Sequence, residues 1–203
     1  MNRDFAAHLD ALFACRRCPN VMGQPVTGFV ENARVLLVGQ APGPREMDER
    51  RPFAYTAGKR LFSWLAPFIS EEEFRKRVHI GAVIRCFPGR DPKAGGDRVP
   101  SPDEVANCAP HLDREIALLR PALIIAVGTL ASKNLLGIAE LKDAVGRVHR
   151  LTRAGHTCDV VVLPHPSGRS TWTNKPENQA LLQKSLALIA KRFGVRQRQL
   201  PLS

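Results

Sequence analysis

The sequence has no long apolar run. None approaches the roughly 18 residues that cross a bilayer as a helix, which predicts a chain without a transmembrane segment. The stretch leading to Cys18 lacks the extended apolar core of a secretory signal, which predicts a cytoplasmic protein. Cysteine is scarce and odd in number, with five residues in all. In a chain without an export signal, that argues against a disulfide framework and toward metal ligation or catalysis. Internal repeats and low-complexity tracts are absent, which excludes a repeat architecture. Acidic residues are the short side of the charge balance: 19 Asp and Glu against 30 Lys and Arg, a formal net charge of +11. A surplus of that kind favours a polyanionic partner, because each neutralised phosphate releases condensed counterions. DNA, RNA and an acidic membrane all satisfy it, and a solubilising surface is the plain alternative.

What is present is an ordinary globular composition. The chain has 203 residues, 44% hydrophobic and 24% charged, which suits one domain over residues 1–203 with a real core. The basic tail Arg196–Ser203 is expected to fray. Four apolar, β-branched segments predict strands covered on both faces: Val35–Val38, Val78–Ile84, Leu123–Val127 and Val160–Leu163. Helical spacing predicts helices over Asp4–Cys15, Ala57–Phe68, Pro102–Leu119, Thr129–Leu136 and Pro176–Phe193. Ser101, Pro102 and Glu104 form a capping box at the start of the third, and Pro110 is expected to kink or split it. Strands alternate with helices. The expected class is therefore α/β, a three-layer α/β/α sandwich around a mostly parallel four-stranded sheet. Ligands of such sheets bind beyond the C-terminal strand ends, so the loops 39–46, 85–98 and 164–174 are expected to surround one site. The charged, glycine- and proline-rich stretch 85–101 is expected to order only on binding.

Cys15 and Cys18 form a C-x-x-C pair, Cys86 follows the second strand, and Cys108 lies in the next helix. Two thiolates from one turn and two from elsewhere complete a tetrahedral set, and spacing alone admits zinc or a [4Fe–4S] cluster. Cys158 reads as a small core residue. Scattered buried thiols are the plain alternative.

Four segments then stand in order. Gly39-Gln40-Ala41-Pro42-Gly43-Pro44-Arg45-Glu46 follows a strand; Arg51-Pro52-Phe53 precedes Ala57-Gly58; Ile84-Arg85-Cys86-Phe87-Pro88 ends a strand; His165-Pro166-Ser167 follows the last. Together they resemble the iron–sulfur (family 4) uracil-DNA glycosylases of the uracil-DNA glycosylase superfamily, over nearly the whole chain. The resemblance implies a monomeric DNA repair enzyme that flips uracil, or a related deaminated base, out of DNA and hydrolyses its N-glycosidic bond. It implies a [4Fe–4S] cluster on Cys15, Cys18, Cys86 and Cys108. It makes Glu46, His165 and Gln40 the catalytic set, with Gly39, Ala41, Phe53, Ala82, Ser167 and Arg169 binding substrate. Phe53 would stack on the base, His165 would hydrogen-bond the base oxygen as charge develops, and Glu46 would orient water or stabilise the sugar cation. Arg169 or Trp172 would fill the gap left by the flipped base, or Arg169 would bind phosphate while Trp172 packs. Arg85, Arg90, Lys93 and Arg98 would line the DNA face.

The family pattern breaks in four places. Tyr55 stands where the second segment is expected to have its first Gly. Gln40 stands where the family often has Glu. Ala82 stands where it usually reads uracil with Asn, which leaves Asn174, Asn107 or backbone groups to do so, or admits hypoxanthine or xanthine. The Cys86–Cys108 separation is longer than usual, as if by an insertion at Gly95–Arg98. These departures sustain a second expectation, a nucleic-acid-binding or damage-sensing module of the same fold without the chemistry. A zinc-stabilised hydrolase of small nucleotides is the third.

Overall fold

Val35–Gly39, Val78–Ala82 and Leu123–Val127 carry almost no polar side chain, so an extended chain there must be covered on both faces. They form strands β1, β2 and β3, buried at every position. The computed structural model describes residues 2–93, 95–168 and 170–193. Val148–Arg153 (β4) and His156–Leu163 (β5) complete one five-stranded sheet in the order β2-β1-β3-β5-β4. The β1–β2, β1–β3 and β3–β5 pairs are parallel, and only β4–β5 is antiparallel. Ala154 and Gly155 both take positive φ, 51° and 69°. Two such residues suit the tight hairpin that joins β4 to β5.

Side chains alternate across the sheet, so each face builds its own core. On one face Leu36, Val38, Ile124 and Val160 pack against Phe5 of α1 (Arg3–Phe13), Ile116 of α5 (Pro102–Leu119), Ala131 of α6 (Thr129–Leu136) and Ala144 of α7 (Leu141–Ala144). On the other, Leu37, Ile80, Ile125 and Val161 pack against Leu61 of α3 (Thr56–Leu65), Phe74 of α4 (Glu71–Arg77) and Leu186 of α8 (Pro176–Arg192). The expected layering is present with one strand more than expected. β4 eluded the sequence because its pattern of burial leaves only Leu151 fully covered, and a mostly polar edge strand lacks the apolar signature. The short helices α2 (Pro44–Glu49), α4 and α7 were not expected either. α5 and α6 have the expected bounds, and Ser101 and Glu104 form the capping box. Pro110 lies inside α5 without splitting it. The expected frayed tail lies outside the described residues.

The β1–β2 register sets Gly39 opposite Ala82. Both therefore end at the same edge of the sheet, where β5 delivers His165 two residues past Leu163.

Candidate active site

A cavity of about 660 Å³ opens at the C-terminal ends of β1 and β2. Gly39, Gln40, Ala41, Phe53, Ala82, His165 and Ser167 all line it, together with Glu46. Sequence reasoning had named each of these eight. Phe53 forms one wall. A Cβ on Gly39 would stand 3.3 Å from the Phe53 ring, so glycine is what lets the ring lie against the strand end. Phe53 takes φ 53°, a left-handed conformation costly for an aromatic residue. Its carbonyl is held in compensation: Arg75 donates to Phe53 O and Pro52 O, both at 3.0 Å. Arg75 itself lies 4.6 Å from the Phe62 ring centroid and is paired with Glu71 at 2.8 Å. Burial lowers the Arg75 pKa, and the hydrogen bond it donates to Glu71 opposes this.

The loop after β1 is tied to the chain beyond β2. Val83 donates to Gly39 O at 2.9 Å and Ile84 to Gln40 O at 3.2 Å. Each of these carbonyls thus already accepts one backbone hydrogen bond. Glu46 caps its own helix: the Gly43 N–H donates to Glu46 Oε2 at 3.1 Å. Pro44 fits the first helical position because it has no N–H to satisfy.

His165 lies half-buried on the opposite lip. Its Nδ1 accepts the Ser167 N–H at 3.2 Å. The ring proton therefore sits on Nε2, and neutral His165 has one N–H to donate. Burial lowers its pKa, with the charge of Asp97 opposing. Gly128, at φ 89°, brings its backbone against the ring, where a Cβ would stand 3.2 Å from Cδ2. The Ser167 carbonyl accepts from Arg60 at 3.2 Å, and Arg60 also reaches Thr173 at 2.9 Å.

The second cavity, about 300 Å³, is lined by Cys15, Cys18, Cys86 and Cys108. The chain around residues 22–28 brings them together. It pairs with the chain just past β2 through Met22 N to Phe87 O and Val26 N to Arg85 O, both 2.7 Å. That sets the C-x-x-C turn beside Cys86, and α1 packing on α5 adds Cys108. Cys86 is pushed up to about 12, first by burial and then by the charges of Cys108, Cys15 and Cys18. Thiolates that raise one another in this way call for a positive group between them. Among the described residues, two buried side-chain nitrogens have no hydrogen-bond partner, Arg85 Nη1 and His111 Nε2. Both residues line this cavity. Unpartnered polar atoms on two residues that border four thiols are compatible with a polar group held there. Among the described residues, no three His, Cys, Asp or Glu side chains are grouped closely enough to hold a metal ion.

The uracil DNA glycosylase superfamily model matches residues 27–190. The chain belongs to that superfamily. It is 31% identical to the type-4 uracil-DNA glycosylase of Pyrobaculum aerophilum over 182 residues, 86% of this chain and 87% of that one. It is 29% identical to the type-4 uracil-DNA glycosylase of Archaeoglobus fulgidus over 166 residues, 77% of this chain and 78% of that one. A type-5 uracil-DNA glycosylase of Pyrobaculum aerophilum is 27% identical over 161 residues, 64% of this chain and 68% of that one.

Within this superfamily fold, several side chains sit elsewhere than expected. Arg85 is not on a DNA face: it is 1% exposed. Its Nε donates to Ala82 O at 2.9 Å, and its guanidinium lies under Gly81 and pairs with Glu115. The charged loop around it disguised a buried residue. Glu115, 0% exposed, also faces His8 and His79 at 3.3 and 3.4 Å. Burial drives its pKa up, but Arg85 and His79 win and hold it well below the usual carboxylate range. Asn107 lines the cysteine cavity and donates to Arg17 O at 3.4 Å, so it does not read a base in the first cavity. Trp172 packs against the core, which is the second of the two expectations for it. Cys158 is buried in β5, as expected of a small core residue. Arg169 lies outside the described residues.

Much of the loop 85–101 is folded back on itself. Asp91 N to Gly96 O at 2.7 Å and Arg98 N to Gly89 O at 3.0 Å close it into a hairpin, which Arg98 pins to Glu104 at 2.8 Å. Arg90, Asp97 and Arg98 thereby reach the first cavity, and Lys93 is exposed on the hairpin. Asp97 was missed because only that folding brings it near the motifs. Arg75 was missed because it acts on Phe53 through its backbone.

Proposed function

We propose that the chain is a DNA N-glycosylase that starts base-excision repair by removing uracil, or a related deaminated base, from DNA. The observation that carries this is the meeting of Phe53, Gln40, Ala82 and His165 in one cavity at the strand ends. The flipped base stacks on Phe53, a contact worth roughly 1–3 kcal/mol for any base. Gln40, Gly39 and Ala41 border its edge. Ala82 is buried and presents a methyl where an amide reader would stand, so this wall accepts a uracil or a larger deaminated purine. As the glycosidic bond breaks, negative charge moves to the base oxygen. Nε2–H of neutral His165 donates to it, which stabilises the transition state without a proton leaving the ring. Glu46, its carboxylate fixed by the Gly43 N–H, is a standing negative charge for the sugar cation. Ser167 and Arg169 contact the DNA backbone. Arg90, Lys93 and the net charge of +11 favour the polyanion.

Cys15, Cys18, Cys86 and Cys108 would hold a [4Fe–4S] cluster, which supplies a covalent cross-link and no step of the hydrolysis. Four thiols spread around a cavity, with unpartnered polar atoms on Arg85 and His111, suit a cluster better than a lone zinc ion. We read the chain as one catalytic domain acting as a cytoplasmic monomer; among the described residues no helix is long and apolar enough to cross a membrane.

The test is a panel of oligonucleotides, single- and double-stranded, each with one uracil, hypoxanthine or xanthine, scored for abasic sites. Cleavage at uracil or a deaminated purine is expected. A cluster-loaded protein that leaves every member uncut at enzyme excess would sink the proposal.

A further inference from the structure

Hydrolysis needs a group to take the proton of the attacking water, and the one carboxylate of the first motif, Glu46, is partly engaged in capping its own helix. Ala41 and Gln40 carry no charge, and one Glu46 oxygen is committed to the Gly43 N–H. The hairpin at 88–98 brings another carboxylate. A Cβ on Gly43 would stand 3.3 Å from Asp97 Oδ2, so this oxygen lies against the first motif. Asp97 lines the same cavity as His165 and Glu46, and its charge is the one that acts on His165. Its side chain is exposed, and among the described residues none hydrogen-bonds its carboxylate. The backbone that carries it is fixed on both sides, by the Arg90–Asp97 bridge and by Arg98 on Glu104.

We propose that Asp97 is the catalytic base of this glycosylase, the residue that orients and deprotonates the water. This rests on the glycosylase reading above. The bond between C1′ and the base nitrogen breaks with its electron pair going to the base. Water oxygen then bonds to C1′ as its proton passes to the Asp97 carboxylate. That proton returns through solvent to the base anion, so the products are neutral base and abasic sugar. Glu46 then has one role, as the fixed charge beside the sugar cation, and Asp97 the other. The hairpin that carries Asp97 is thus a part of the active site.

The experiment compares the cluster-loaded wild-type protein with Asp97→Asn and Asp97→Ala on the oligonucleotide that the wild type cuts best. Single-turnover excision is expected to fall about 100-fold or more in both, the range for a lost general base. Binding to the same DNA and the thermal midpoint should stay near wild type, since the side chain is exposed. Added formate should restore part of the rate to Asp97→Ala, because a small carboxylate can occupy the vacated space. Excision by either variant within threefold of wild type overturns the role of Asp97 and leaves the glycosylase reading intact. Loss of rate without formate rescue, together with weakened binding, assigns Asp97 to DNA contact and also overturns it. A wild type that cuts nothing fails the glycosylase reading itself.

Discussion

Gly58 holds no substrate, yet its replacement should disable the base pocket. A Cβ at Gly58 would stand 1.9 Å from Phe53 O, 2.6 Å from its carbonyl carbon and 3.1 Å from its Cα. The atoms it meets are backbone and cannot swing aside as a flexible side chain would. Phe53 must shift by more than an ångström, and its carbonyl then leaves the 3.0 Å hydrogen bond from Arg75. A lost hydrogen bond to a charged group costs roughly 1.5–3 kcal/mol and overpacking roughly 1–3 kcal/mol, so Gly58→Ala should cost about 3–5 kcal/mol. In a chain of this size that is a drop of about 6–20 °C in thermal midpoint. The damage is also aimed. The Phe53 ring lies against Gly39 because its backbone is held left-handed, so a displaced Phe53 loses the stacking surface. Thermal unfolding should be paired with single-turnover excision at a temperature where the variant is folded. Excision should fall further than the folded fraction explains. A variant within 2 °C of wild type, with an unchanged excision rate, would refute the claim that this backbone contact sets the pocket wall.

Glu115→Gln leaves the buried Arg85 without its counter-charge and should cost about 3–5 kcal/mol, read as a lowered urea midpoint at pH 7. The folded carboxylate is held below its unfolded value of about 4.3, so its contribution is present above that pH and lost as pH falls through the folded value. The gap between variant and wild type should therefore narrow in acid, and equal midpoints at pH 7 would defeat the argument. Cys86→Ser should abolish the brown visible absorption of a bound cluster and lower the thermal midpoint, whereas Cys158→Ser should keep the absorption. A Cys86→Ser protein with wild-type absorption and midpoint would count against the four-thiol assignment.

The parts of the fold that are legible in the sequence are those where one local rule dominates. β1 and β3 are apolar at consecutive positions, α5 opens on a complete capping box, and α6 ends at a left-handed Gly137. The motif loops were legible because glycine, proline and chemistry-bearing residues fall together at strand ends. What escaped depends on distant partners. Arg85 and Glu115 look like surface charges, and only their mutual burial with His8 and His79 makes them a core element. β4 is readable only from its pairing with β5. Asp97 stands far in sequence from Gly43 and His165, and backbone hydrogen bonds inside its hairpin are what deliver it.

The two cavities share one strand end, and this gives the cysteine site a bearing on the base pocket. Ala82 lines the first cavity, Cys86 and Arg85 line the second, and Arg85 donates to the carbonyl of Ala82. The other guanidinium contacts are Glu115, on the helix that also carries Cys108, and the backbone of Gly81, which has no room for a Cβ. Pulling the four thiols together would therefore fix α5, and α5 fixes Glu115, which fixes Arg85 beneath the strand that ends in Ala82. The hairpin bearing Asp97 starts just past Cys86 and is pinned back onto α5 through Glu104. A clasp on these cysteines thus bears on both the wall that meets the base and the carboxylate that meets the water, without touching either reacting atom.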